Sequence, residues 1–290
     1  MLALSCTGAG KYATLRFVLG DAAPAVKSEN PPEDRYDDIN LLVFNSEGEP
    51  ELARYWSSRE NPGDGQMTCS LLSGSPVTVA ACVNLGYRLD SSSLEEMGSL
   101  RHYLAYPDEY SRGLPMTGLR TLTVPPSGGV VTIPLQRMMA RVGVRMDRSH
   151  LDGDVKLSVR SVQVGNCPKS ALLFGQSRSA GSLDVFGSGF IKAWRDADPM
   201  NIEKGGGLSD IVEVYLMENL GEDYVPFIEI KAEYNSSKWH TPPGEYVIYR
   251  FYLEGGVERN SRYLYTVRPR GDALPDMEWS VDKSCLEGTG

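Results

Sequence analysis

Val131-Thr132-Ile133-Pro134-Leu135-Gln136-Arg137-Met138-Met139-Ala140-Arg141-Val142-Gly143-Val144-Arg145-Met146 is the stretch that decides how this 290-residue chain is read. Ile133 and Leu135 alternate with polar or small neighbours. Val142, Val144 and Met146 do the same against Arg141 and Arg145. Period-two alternation places one set of side chains on a buried face and marks a β-strand. The two apolar sets are out of phase, so a bulge or bend is expected near Arg137 to Ala140.

The same period extends in both directions. Ala13, Leu15, Phe17 and Leu19 share one face of a first strand, with Thr14 and Arg16 opposite. A Pro- and charge-rich connection, Asp21 to Asp38, leads to a second strand through Ile39, Leu41 and Val43. That strand stops at Asn45-Ser46-Glu47-Gly48, a turn composition. Met67 to Leu72 and Val77 to Val83 read as a hairpin pair around Ser73-Gly74-Ser75-Pro76. Ser92 or Ser93, with Glu95 or Glu96 three residues on, is a capping signal. Leu94, Met97, Leu100 and Leu104 then recur at helical spacing, so a helix covering part of a sheet is expected from Ser93 to Ala105.

Past Met146 the strand pattern resumes at Val155, Leu157 and Val159, then Val162 and Val164. Gly165 to Gly207 is Gly- and Ser-rich and reads as loops with short strands. Clean strands return at Val212, Val214 and Leu216, at Ile228 to Tyr234, and at Tyr263, Tyr265 and Val267. Tyr246 to Leu253 reads as a run covered on both faces. The expectation is all-β: two sandwiches, residues 11–147 and 148–290, with one short helix in the first and a junction near Asp147 to Asp154.

The chain carries a net charge of −9, which disfavours a phosphate-backbone partner. No stretch reaches the roughly 18–20 apolar residues of a spanning helix. Met1-Leu2-Ala3-Leu4-Ser5-Cys6 resembles the tail of a signal segment ending in a lipidated cysteine, so residues 1–10 are read as a residual lipoprotein N-terminus. Ala3 stands where a lipobox ordinarily has Leu. Cys6, Cys69, Cys82, Cys167 and Cys285 match no zinc or Cys-x-x-Cys redox spacing. A hairpin would hold Cys69 and Cys82 two residues out of register, so small buried thiols are expected there.

Catalytic and metal patterns fail. His102, His150 and His240 sit at no ligand spacing, and no nucleophile elbow or P-loop is present; Gly205-Gly206-Gly207 precedes no Lys-Ser/Thr pair. Asp34, Asp37 and Asp38 lack EF-hand spacing. Glu218 and Asn219 offer either a carboxylate–amide pair or a turn. Arg270-Gly271-Asp272 follows Pro269 and reads as a turn. Trp56, Trp194, Trp239 and Trp279 are too dispersed for a sugar platform, so core or interface packing is expected. No catalytic residue, cofactor or metal is assigned.

Leu114-Pro115-Met116-Thr117-Gly118, the opening stretch, Val214 to Gly221 and Arg259-Asn260-Ser261-Arg262-Tyr263 occur in an order that resembles the fimbrial anchor lipoproteins of Bacteroidetes-type pili, the minor subunits at the pilus base. The resemblance implies two tandem transthyretin-like β-sandwiches. It implies an outer-membrane lipoprotein, lipidated at Cys6, that anchors the shaft and limits its length. The partners would be shaft subunits engaged by β-strand addition. Tyr263, Tyr265, Val267 and Trp279 are the expected subunit contact; the alternative is that Tyr263 to Val267 is an ordinary internal strand, in which case the donor would be Met277 to Val281. Two other readings remain: a polymerising stalk or tip subunit, for which Arg35 is the candidate cleavage site, and an adhesin that binds a glycan or host protein.

Overall fold

A computed structural model describes residues 11–20, 36–60, 66–110, 112–178, 181–193, 200–202, 212–270 and 277–285. Nearly all the regular secondary structure of the described residues is strand, with one short α-helix. They form two compact units. The first is built from residues 11–100 and 110–137, the second from 101–109 and 138–285.

In the first unit, β1 (Tyr12–Leu19) lies between β4 (Gln66–Leu72), antiparallel, and β8 (Gly129–Ile133), parallel. A second sheet has the order β3 (Pro50–Trp56), β2 (Ile39–Phe44), β5 (Pro76–Val83), β7 (Met116–Thr123) and β9 (Gln136–Arg137). Ala13, Leu15, Phe17 and Leu19 point into the core between the sheets, where they meet Leu41, Val43, Val79 and Ala81. Strand β2 is buried on both faces. Leu42 and Phe44 are buried, and Asn40 lies against residues 84–100. The Asn40 amide Nδ2 donates to the Tyr87 carbonyl, and the Leu89 N–H donates to Asn40 Oδ1. Helix α1 (Leu94–Ser99) belongs to that segment and buries Met97.

In the second unit, β10 (Met139–Met146) lies between β15 (Val212–Met217), antiparallel, and β18 (Ser261–Pro269), parallel. Strand β19 (Met277–Cys285) continues that sheet beyond β18. The facing sheet has the order β13 (Val185–Ala193), β11 (Lys156–Pro168), β16 (Phe227–Asn235) and β17 (Val247–Tyr252), and β14 (Met200–Ile202) also pairs with β11. Its core contains Tyr234, Tyr249, Phe251, Tyr263 and Tyr265. A ribbon pairs β6 (Arg101–Tyr103) with β12 (Ser170–Leu172). The two units repeat one topology. Strands β1, β2, β3, β4, β5, β7 and β8 correspond in order and pairing to β10, β11, β13, β15, β16, β17 and β18.

Several sequence expectations hold. Strand β1 spans the predicted face. Ser93 Oγ accepts from the Glu96 N–H, and Glu96 Oε2 accepts from the Ser92 N–H, so the capping signal is used. Asn45 Oδ1 accepts from the N–H groups of Glu47 and Glu49 and closes the predicted turn, with Gly48 at φ 80°. Cys69, Cys82 and Cys167 are buried free thiols.

Other expectations are corrected. The helix ends at Ser99, because Leu100 is extended and residues 101–103 are held as a strand by β12; His102 therefore lies in β6 and not in a helix. β4 and β5 are not a hairpin: β4 pairs with β1, and β5 with β2 and β7, so the Ser73 to Pro76 turn is a corner between sheets. Strand β17 is an edge strand with one buried face, and Ile248, Arg250 and Tyr252 are exposed. Gly165 to Gly207 contains the nine-residue β13. The phase shift near Arg137 to Ala140 marks the passage from β9 in the first unit to β10 in the second. The expected boundary at 147/148 thus falls after β10, a strand that both its partners hold in the second unit.

Candidate functional site

The expected contact residues Tyr263, Tyr265 and Val267 lie on the core face of β18 and are buried. Both backbone edges of β18 are taken, by β10 and by β19. In this conformation β18 is an internal strand, since a strand with two partners has no free ladder for a third. Trp279 lies on β19, opposite Val267. It is half-buried, stacks on Phe251 with ring centroids 5.4 Å apart, and meets Tyr265 at 6.0 Å in a tilted arrangement. Strand β19 itself is the edge of its sheet among the described residues. It carries Glu278, Asp282 and Lys283, the last paired with Glu258 at 2.7 Å. Thus, of the expected set, Trp279 alone sits on an open edge.

Three of the quoted motifs, the opening stretch at Met138 and Met139, Val214 to Gly221 and Arg259 to Tyr263, converge elsewhere in the second unit, whereas Leu114 to Gly118 lies in the first. Glu218 is buried and pairs with the Arg259 guanidinium at 2.9 Å. Glu218 Oε2 also accepts from the Ser177 N–H, and the other carboxylate oxygen accepts from the Arg259 N–H. Arg259 donates further to the carbonyls of Leu172 and Leu173. The Asn219 and Val257 backbones exchange two hydrogen bonds, and a side chain on Gly256, φ 79°, would strike the Asn219 carbonyl. The Glu218 N–H donates to the Met138 carbonyl, and the N–H of Asn260, in the left-handed region at φ 54°, donates to the Met139 carbonyl. The Tyr263 hydroxyl accepts from the Glu258 N–H. Glu218 and Arg259 spend their charges on one another and on backbone, which is the condition for a tolerable buried ion pair. The cluster is a staple that fixes three loops. Sequence reading missed Ser177 entirely, since a lone serine in a Gly/Ser-rich stretch gives no signal.

Burial perturbs several titratable groups. His102 is pushed down to about 4 by desolvation, partly offset by Glu109. Asp38 is pushed up, first by desolvation and then by Asp37, against hydrogen bonds from the Gly86 and Leu85 backbone. Its Oδ1 has no partner. Burial also raises the Cys167 thiol to about 12, which makes it a poor nucleophile at neutral pH. Among the described residues no group of three His, Cys, Asp or Glu side chains is placed to hold a metal ion. No described helix is long and apolar enough to cross a membrane. His150 lies 3.7 Å from Glu278, and Trp239 packs beside Tyr234 in an ordered loop. Cys6, Asp34, Arg35, Trp194, Gly205 to Gly207, Gly271 and Asp272 fall outside the described residues.

No protein-family model and no curated protein matches the chain. Solved structures do. A candidate cell adhesion protein from Parabacteroides distasonis superimposes with a TM-score of 0.68 at 12% identity, over 97% of this chain and 98% of its own. A fimbrilin from Porphyromonas gingivalis gives 0.61 at 14% identity, over 94% and 97%. The tip fimbrial protein Mfa3 from Porphyromonas gingivalis, with a C-terminal truncation, gives 0.53 at 15% identity, over 93% and 98%. The chain therefore shares its fold, over nearly its whole length, with Bacteroidetes fimbrial proteins.

Proposed function

We propose that the chain is a non-enzymatic, surface-exposed pilus component that is attached to the outer membrane by lipid on Cys6, holds a fimbrial shaft and limits its length. Each unit is read as a transthyretin-like sandwich. The observation that carries the anchoring reading is β1. Its four core-facing residues are buried, and it is paired along its length with β4 on one side and β8 on the other. A head-to-tail polymer that grows by strand addition needs an unfilled groove in each acceptor. A first unit already filled by its own β1 offers none, so it ends growth. The retained strand also ties a lipid at Cys6 to the fold. Contact with the shaft is assigned to the β19 edge around Trp279, in place of the internal strand bearing Tyr263, Tyr265 and Val267.

Stalk or tip subunits are the competing reading, favoured by the fold that the chain shares with a fimbrilin and a tip protein. N-terminal sequencing of protein from cells separates the two. A mature terminus at Cys6 supports the anchor, and a terminus at Tyr36, after cleavage at Arg35, removes β1 and supports the stalk. Cys6→Ser in a full-length precursor is expected to release the protein to soluble fractions, and retention in membranes at parental levels overturns the lipid attachment. Deletion of the gene is expected to shed shafts from cells; normal shaft number and length would end the anchoring reading.

A further inference from the structure

The sheet of β11, β16 and β17 carries, on the face turned away from the core, a charged cluster that the topology does not require. Along β16 and β17 the outward side chains stand opposite one another as Phe227 with Tyr252, Glu229 with Arg250, and Lys231 with Ile248. The corresponding strands of the first unit, β5 and β7, turn out Thr78, Ala80, Cys82, Thr117, Leu119 and Thr121, none of them charged. We propose that the Lys231–Arg250 cluster is a binding site for the carboxylate of an acidic sugar, whose ring rests on Tyr252. The site lies on the other sheet from β19, and it adds a ligand to the shaft contact assigned above.

The cluster is built around a buried anion. The Glu229 side chain is only 5% exposed, whereas that of Arg250 is 48% exposed and that of Lys231 37%. Glu229 Oε2 accepts from Arg250 Nε at 3.1 Å and from Nη2. Its Oε1 accepts from Gln163 Nε2 at 2.8 Å and faces Lys231 Nζ at 3.5 Å. Burial alone would raise the Glu229 carboxyl; Arg250, Lys231 and Gln163 outweigh it and hold the group below the usual carboxylate range. The guanidinium also rests on the Phe227 ring, 4.7 Å from its centroid. That ring lies across Gly165 of β11, where a larger residue would strike it. Arg250 is thus fixed before a ligand arrives, and little side-chain freedom is left to lose on binding. Two cations share one carboxylate, so the cluster keeps a surplus positive charge in a chain whose net charge is −9. The neighbouring Arg160–Glu233 pair, at 2.7 Å, balances itself.

The surplus charge selects an anion, and the surroundings select its carrier. A planar carboxylate matches the fork of a guanidinium. Tyr252 packs edge-on against Phe227, with ring centroids 5.7 Å apart, and stays exposed. Ile248 and Tyr246 continue the exposed apolar stripe along β17. A sugar ring lays its apolar C–H face on such a stripe and turns the hydroxyls at its rim to Gln163 and Lys231, a few polar groups set among apolar ones. A peptide on the same face would leave its own N–H and C=O groups unmatched, because both ladders of β16 are taken, by β11 and by β17.

The test titrates the full chain into labelled trisaccharides of galacturonate, mannuronate and glucuronate and reads fluorescence anisotropy. Their methyl esters, which keep the ring and lose the charge, and a labelled tetraglutamate peptide are the controls. At least one acidic trisaccharide is expected to bind with a Kd below about 1 mM, and about tenfold or more tighter than its ester and the peptide. Lys231→Gln and Tyr252→Ala, both on the exposed face, are each expected to weaken it about fivefold or more. Raising the salt from about 50 to about 500 mM should weaken the acid and leave the ester unchanged. No binding up to about 1 mM, equal binding of acid and ester or of acid and peptide, or parental affinity in either variant overturns the proposal. If a variant lowers the thermal midpoint of the second unit, Ile248→Glu, which sets a negative charge opposite Lys231 at an exposed position, replaces it with the same two outcomes. The anchoring reading is tested apart from this, by shafts on cells lacking the protein. Shed shafts without sugar binding therefore condemn the sugar site alone.

Discussion

The two units are built on one strand order and finished differently. The second closes its sheet with β19 and fills its core with tyrosines, Phe251 and the half-buried Trp279. Among the described residues the first stops at β8; it fills its core mainly with aliphatic side chains and buries Asn40 of its second sheet against residues 84–100. A shared topology thus fixes which strands are neighbours. It does not fix which surfaces are closed, because covering a face or an edge takes only a short appended segment. Among the described residues the first unit sets added chain against a face, and the second adds a strand beyond β18.

The largest expected contrast comes from removing β1. Leu15, Phe17 and Leu19 are fully buried, worth about 1.5–3 kcal/mol each, which approaches the whole stability of a domain. A chain starting at Asp21 is expected to have an unfolded, protease-sensitive first unit and an intact second one. A synthetic peptide of residues 12–20 should restore protection. Two normal unfolding transitions in that truncated chain would break the comparison. Next is the staple. Glu218→Ala leaves Arg259 buried without its partner, at a cost of about 3–5 kcal/mol confined to the second unit. The double variant with Arg259→Ala should lose less than the sum of the two singles, as measured by denaturant unfolding.

Trp279→Ala tests what closing the sheet contributes. A loss of about 2 kcal/mol is expected in the second unit, below that of a fully buried tryptophan. The units should also diverge with pH. Below 6.5 the unfolded chain protonates His102, whereas the folded second unit resists down to about 4, so its stability falls through that window. In the first unit the folded state holds the Asp38 proton above 3.8, where the unfolded chain has lost it. Its contribution is present at low pH and lost as pH rises through the raised value. Acidification from pH 6.5 to 4 should therefore lower the midpoint of the second unit more than that of the first. His102→Gln should flatten the second slope. Asp38→Asn, the smallest effect, should help the first unit progressively as pH rises. Parallel pH profiles for the two units would refute both assignments.

The sequence by itself determined local matters: the buried faces of β1, β10, β16 and β18, the Ser93 cap and the Asn45 turn. Each depends on side chains a few residues apart, whose spacing along the chain is their spacing in space. Tertiary structure decided the rest. Strands β4 and β5 alternate as hairpin partners would, yet join different sheets, because alternation records that a face is buried and not which strand buries it. Tyr263, Tyr265 and Val267 read as one apolar face that either a partner subunit or the chain's own core could cover, and the fold covers it with its own core and pairs both edges of β18. Glu218 read as half of a carboxylate–amide pair or a turn and Arg259 only as part of a quoted stretch, and they became an ion pair only when loops 41 residues apart met. That β8 ends its sheet among the described residues, while β18 has β19 beyond it, was invisible for the same reason: neighbours are assigned by folding.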